Sequence, residues 1–280
     1  MKTQVVSLFC MLAMLGGTTT AFAGAYGEKQ QPEEMPVAPP PVVTPAPPPV
    51  APELVLREFA GFMTDAETSR GFWAELGSVY ASETDLGPDQ QLVNTFLHLS
   101  YGQKIWEVGA LVPYLYYDVD DIGSDDGFGD ITAWGKLIPL RTDRYQLGGG
   151  LLVTFPTGEK SFSTDEYGFE PFVTGAVAAG PVSLRGSFGY VISTGDVNDA
   201  LDTEVAVLAP IGDMLVLRGE LLYYHSDDVD PVTFAPGVDI RFALSDSLEL
   251  LLRPTAGVGI TDEAPDWQIG LSFALTQIAG

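Results

Sequence analysis

Cysteine is nearly absent from this 280-residue chain: there is one, Cys10. It lies in the apolar run Val5 to Leu15 without the small residue that precedes a lipobox cysteine, so a lipid anchor there is not expected. Positive charge is almost as scarce, with 13 Lys and Arg against 38 Asp and Glu and a formal net charge of −25. A phosphate backbone is held by Lys and Arg, so nucleic acid is excluded as a partner. Past the N-terminus no apolar run approaches the roughly 18 residues that a membrane helix needs. The chain has two histidines, His98 and His225, and neither falls with a serine in a catalytic pattern. No catalytic residue, metal site or cofactor is therefore expected, and the chain does not read as an enzyme.

The rest of the composition is rich in structure-forming residues, 46% hydrophobic and 11% aromatic, which is too apolar for a disordered chain. Lys2, the apolar run and Ala21-Phe22-Ala23 form a secretory signal peptide over 1–23. Removing it leaves no cysteine and hence no disulfide. Residues 24–53 read as a disordered periplasmic linker. Between Pro36 and Pro52 the ring-locked φ and missing N–H groups favour an extended polyproline spacer with a reach of about 50 Å. It is either a solvated tether or a ligand for a cell-wall or periplasmic partner. Residues 54–69 carry Leu54, Leu56, Phe59, Phe62 and Met63 and fit a short plug helix or an amphipathic periplasmic cap equally well.

From residue 70 to 280 the hydrophobic pattern has period two. Twelve segments alternate in this way: 70–82, 91–101, 104–117, 129–140, 144–156, 168–179, 181–192, 202–210, 213–224, 232–244, 247–258 and 266–275. In 232–244, Phe234, Val238, Ile240 and Phe242 share one face while Gly237, Asp239 and Arg241 share the other. Alternation alone also fits a soluble sandwich. The connections decide between the two, because short turns near 102–103, 142–143, 180, 211–212 and 245–246 alternate with mostly longer loops. An even strand number with one end of short turns predicts an all-β fold, a transmembrane antiparallel up-and-down β-barrel of twelve strands. Tyr114, Tyr116, Phe155, Tyr190, Tyr223, Phe234 and Trp267 near the long loops, and Tyr101, Tyr145, Phe242 and Phe273 near the short turns, supply two interfacial belts.

Gly127-Phe128-Gly129-Asp130, the following strand with Lys136, and Gly148-Gly149-Gly150-Leu151-Leu152-Val153-Thr154-Phe155-Pro156-Thr157-Gly158 resemble the outer-membrane barrel family associated with the meta-pathway of phenol degradation. The likeness is carried mainly by the fourth and fifth strands. It implies a transporter-like protein of the Gram-negative outer membrane that passes or binds small molecules, aromatic or otherwise apolar ones among them. The C-terminus departs from the common barrel ending on an aromatic, because Phe273 is followed by seven further residues.

Parity assigns Glu75, Asn94, His98, Glu107, Asp130, Lys136, Gln146, Glu170, Arg185, Glu204, Arg218, Glu220, Asp239, Arg241, Glu249 and Arg253 to the lumen. The expected constriction consists of Glu107, Lys136, Arg185, Arg218, Glu220, Asp239, Arg241, Glu249 and Arg253. Such a mixed-charge set either orients solutes or ties the wall together as a salt-bridge ladder. Interior Gly237, Gly257 and Gly270 suggest some open bore. More than half of the acids lie in the long loops or at their junctions, countered there by Lys160 alone. Asp118, Asp120, Asp121, Asp125 and Asp126 would form an acidic vestibule, a solvated loop or a loose divalent bridge to lipopolysaccharide; the spacing fails that of an EF-hand. The expected partners are outer-membrane lipid, lipopolysaccharide and a small-molecule solute. The expected function is diffusion of small solutes through a charged lumen. The alternative is a non-conducting barrel that anchors the proline-rich segment.

Overall fold

The computed structural model describes residues 63–69, 71–83, 89–120, 123–195, 199–227 and 229–277. The expected signal peptide, the proline-rich linker and residues 54–62 lie outside them. Alternating side chains produce the strands β1 (Gly71–Glu83), β2 (Gln90–Gln103), β3 (Trp106–Val119), β4 (Gly123–Phe128), β5 (Ile131–Arg141), β6 (Tyr145–Phe155) and β7 (Gly168–Ala179). They continue as β8 (Val182–Ser193), β9 (Ala200–Ile211), β10 (Leu215–His225), β11 (Val232–Ser245), β12 (Leu248–Gly259) and β13 (Trp267–Gln277). Every pairing is antiparallel and joins sequence neighbours, except that β3 pairs with β5 as well as with β4. β1 also pairs with β13, Trp73 facing Thr276 and Ser82 facing Trp267, which closes the ring. Closure leaves no sheet edge to be solvated by lipid, which satisfies the requirement of a spanning sheet.

Twelve strands make the wall and β4 is additional. The expected fourth strand, 129–140, is the part that the structure revises. β3 gives its first half to β5, with Leu111 opposite Thr132, and its second half to β4, with Tyr114 opposite Phe128. Three steps along β3 therefore match four along the β4–β5 run. The extra residue is absorbed at Gly129-Asp130, the geometry of a β-bulge. Pro113 sits opposite, where it has no N–H to offer, and its carbonyl accepts the Gly129 N–H at 3.1 Å. On one side β3 thus passes from β5 to β4, while on the other it stays paired with β2 along its whole length.

Short turns of two or three residues alternate with connections of six to twelve. Gly180 and Gly212 take φ of +67° and +63° in two of the short turns, a left-handed conformation that L side chains resist. Leu76, Leu137, Leu147, Val173, Leu184, Val205, Leu217, Leu244 and Ile269 stand exposed on the outer face. A continuous apolar exterior of this kind suits lipid and not water. At its upper border Tyr114, Tyr116, Phe155, Tyr190, Phe234 and Trp267 are exposed, and at its lower border Tyr101, Tyr145, Phe242 and Phe273.

Candidate functional site: the lumen

Period two turns one side chain of each strand pair inward, and the twist and stagger of the strands bring those of five neighbouring strands into contact. Glu75 (β1) accepts hydrogen bonds from Arg253 Nη1 (β12) at 3.1 and 3.2 Å, from Trp73 Nε1 at 3.0 Å and from Ser272 Oγ (β13). Arg253 Nε donates to Asp239 Oδ1 (β11) at 3.0 Å, and Arg218 Nε (β10) lies 2.9 Å from the same oxygen. Arg218 Nη1 then donates to Glu220 Oε1 at 2.6 Å. Glu75, Arg218, Glu220, Asp239 and Arg253 are all buried, so this ionic chain is shielded from solvent. His98 Nδ1 comes within 3.9 Å of Glu75, with its ring centroid 4.9 Å from that of Trp134.

A second group forms on β3 and β5. Lys136 Nζ lies 3.3 Å from Glu107 Oε1, and Trp134 Nε1 donates to the same oxygen at 3.4 Å. The segment that precedes β1 enters here. Ser69 N donates to Glu107, Arg141 Nη1 donates to Thr68 Oγ1 at 3.1 Å, and Lys136 Nζ donates to the Asp65 carbonyl at 3.0 Å. Arg185 (β8) binds the carboxylate of Asp65 through Nη1 and that of Glu67 through Nη2, the latter at 2.7 Å. Thr64 donates to Glu204 Oε2 at 3.3 Å. Residues 63–69 are extended or bent, not helical, and lie inside the wall.

Toward the long loops the lumen turns apolar. Val79, Ala81, Leu92, Phe96, Leu111, Leu115, Trp134, Leu152, Phe172 and Ala235 form one buried cluster with Met63 of the incoming segment and Phe162 of the β6–β7 connection. That connection is held inward by Asp130, which accepts from Gly158 N at 2.9 Å, Thr164 N at 3.0 Å and Thr164 Oγ1 at 3.1 Å. Asp130 is therefore a loop anchor. Gly237 and Gly257 do not leave bore: a side chain at Gly237 would meet the Arg218 guanidinium at 2.9 Å, and one at Gly257 would meet Gln268 at 2.6 Å.

Below the apolar cluster lies a cavity of about 400 Å³ on the short-turn side, with Arg185, Arg218, Glu220, Asp239, Arg241, Glu249 and Arg253 in its wall. Glu107 lines it as well, and its partner Lys136 is buried beside it. Arg241 is exposed and Glu249 half-buried, and neither forms an ion pair among the described residues. Asp120, Asp125 and Asp126 are exposed on the β3–β4 hairpin, where Tyr114 donates to Asp126, and Asp118 is half-buried. Asp121 lies outside the described residues. His225 is far along β10 at the long-loop end, paired with Asp230.

Sequence parity overlooked Asp65, Glu67, Trp73 and Phe162. The signals were present: two acids two residues apart in a stretch of mostly small side chains, and a single Phe set between serines in a long polar loop.

A Pseudomonas putida F1 outer-membrane channel matches this structure with a TM-score of 0.61 at 10% identity, over 79% of this chain and all of the other. The fold is that of an outer-membrane β-barrel. The NanC porin matches with a TM-score of 0.51 at 12% identity over 74% and 100% of the two chains. The β domain of the Bordetella autotransporter BrkA matches with a TM-score of 0.50 at 12% identity over 74% and 98%. No family model and no curated protein matches the sequence. The association with phenol degradation rests on the quoted glycine-rich motifs alone. Channels and an autotransporter domain share the fold, so function has to be argued from the lumen.

Proposed function

We propose that the protein is an outer-membrane channel for small solutes, with residues 24–53 as a periplasmic linker and the acidic loops as an extracellular vestibule. The observation that carries this reading is the polar cavity of about 400 Å³ within the wall, which is large enough for a small solute and carries both signs of charge. Glu107, Lys136, Arg185, Arg218, Glu220, Asp239, Arg241, Glu249 and Arg253 are the constriction in this reading. Asp118, Asp120, Asp121, Asp125 and Asp126 are the vestibule, which concentrates cations at low salt. No cofactor and no chemical step is involved.

The apolar cluster around Met63 and Phe162 favours a second reading, a closed barrel that anchors the proline-rich segment for a cell-wall or periplasmic partner. Single-channel recording of residues 24–280 in a planar bilayer separates the two. Discrete steps under a salt gradient, with a reversal potential on the cation side, are expected of the channel. Arg241 is exposed at the cavity and forms no ion pair among the described residues, so Arg241→Gln moves that reversal potential further toward cations. Folded and inserted protein that never conducts overturns diffusion and leaves the anchor.

A further inference from the structure

Arg185 spans two carboxylates of one short segment: Nη1 meets Asp65 and Nη2 meets Glu67. A guanidinium fork satisfied in this way is the usual geometry of carboxylate recognition. The surrounding wall adds a hydroxyl from Ser187 to Thr64 at 3.2 Å and the Lys136 ammonium to the Asp65 carbonyl. Arg185 Nε is buried without a partner among the described residues, so the fork has donor capacity left. The occupant is half open: the Asp65 side chain is buried, but Glu67 keeps 52% of its side chain exposed, and the cavity continues beside it past Arg241 to the short-turn end.

The charge layout makes that end the less repulsive one for an anion. Lys104, Arg141 and Arg144 sit in or beside short turns with Asp143, Asp213 and Asp246, so this mouth carries both signs, and Arg185 and Arg241 line the cavity above it. The long-loop end is almost purely acidic and repels anions. A ligand with two carboxylates therefore meets less repulsion from the short-turn side than from the long loops.

We propose that Arg185 is the centre of a binding site for small dicarboxylates entering from the short-turn side, and that Asp65 and Glu67 occupy it as a built-in competitor. The site goes beyond conduction: a ligand that displaces the two acids releases residues 63–69 from the wall, with Met63 drawn from the apolar cluster.

The test uses the mature chain in detergent micelles, with succinate as the probe and acetate as its single-carboxylate control at constant ionic strength. Trp73 lines the same cavity, so its fluorescence reads binding alongside calorimetry. Asp65→Asn/Glu67→Gln removes the competitor and is expected to bind succinate at least tenfold more tightly than the unaltered chain, with acetate unchanged. Adding Arg185→Gln is expected to abolish the gain, while Arg185→Lys retains part of it. If the double variant fails to show the heat-modifiable migration of a folded barrel, Glu67→Gln alone, at the exposed carboxylate, is expected to give a severalfold gain. Succinate affinity equal in all variants, or a gain that survives Arg185→Gln, overturns the site. A silent bilayer would refute conduction and leave this result standing; absent succinate binding in a conducting protein refutes the site alone.

Discussion

Glu75 shows what a buried charge does in a barrel this narrow. Its carboxylate joins β1 to β12 and β13 and, through Arg253 and Asp239, to β11 and β10. An ionised group taken out of water is costly unless it is paired and hydrogen-bonded, and each member of this chain neutralises the next. Glu75→Gln removes one charge and leaves Arg253 with Asp239 as its remaining close carboxylate. Loss of one partner from a buried pair costs about 3 kcal/mol, to be read as a lower urea midpoint for unfolding of the folded barrel. Replacing the whole chain by apolar residues of equal volume is a milder change, since no orphan charge remains. That residues such as Glu75 and Arg253 face inward was legible from period two. That opposite charges on neighbouring strands could pair as a ladder was legible too, but not which would meet: Asp239 bonds both Arg218 and Arg253, while Arg241 forms no ion pair among the described residues. Which side chains meet across a lumen depends on stagger and rotamer, and neither is written in a strand's alternation.

Two short elements fill the lumen, and each escaped the alternation for its own reason. Residues 63–69 precede the first strand and carry no period, so their place inside the wall could only come from the ion pairs they make. The β6–β7 connection has the composition of a solvated loop, yet Asp130 folds it inward and delivers Phe162 to the apolar cluster. Phe162→Ala creates a cavity at the level where the apolar cluster narrows the route. A buried Phe→Ala costs about 3–5 kcal/mol when the site cannot collapse. Part of that cost is recovered here as water enters, so the measurable outcome is a larger unitary conductance with a modest loss of stability. A conductance equal to that of the unaltered chain would place the narrowest point at the ionic chain instead. The bulge at Gly129-Asp130 was missed in the same manner. Gly123–Phe128 reads as turn residues because β-propensity measures fit to a half-buried pleat, and this run stands clear of the lipid belt.

For the whole molecule, twelve strands, closure and the two aromatic borders were legible because a lipid environment imposes them on every strand alike. The state of the lumen was not, since filling it is a matter of particular side chains, as Arg218 at Gly237 and Gln268 at Gly257 show. The distribution of charge between the two mouths has a further consequence. Negative groups dominate the long-loop end, while at the other Lys104, Arg141, Arg144 and Arg241 are balanced by Asp143, Asp213, Asp246 and Glu249. Fixed charge concentrated at one end of a narrow aqueous path makes an ionic diode. Mobile ions are drawn into the pore at one polarity and swept out of it at the other. In low salt the current–voltage curve of inserted protein is expected to bend, with unequal conductance at equal and opposite potentials. Raising the salt to about 1 M, where the Debye length falls to about 3 Å, is expected to straighten it. A membrane held at a Donnan potential would then pass ions more readily in one direction than the other, with no moving part.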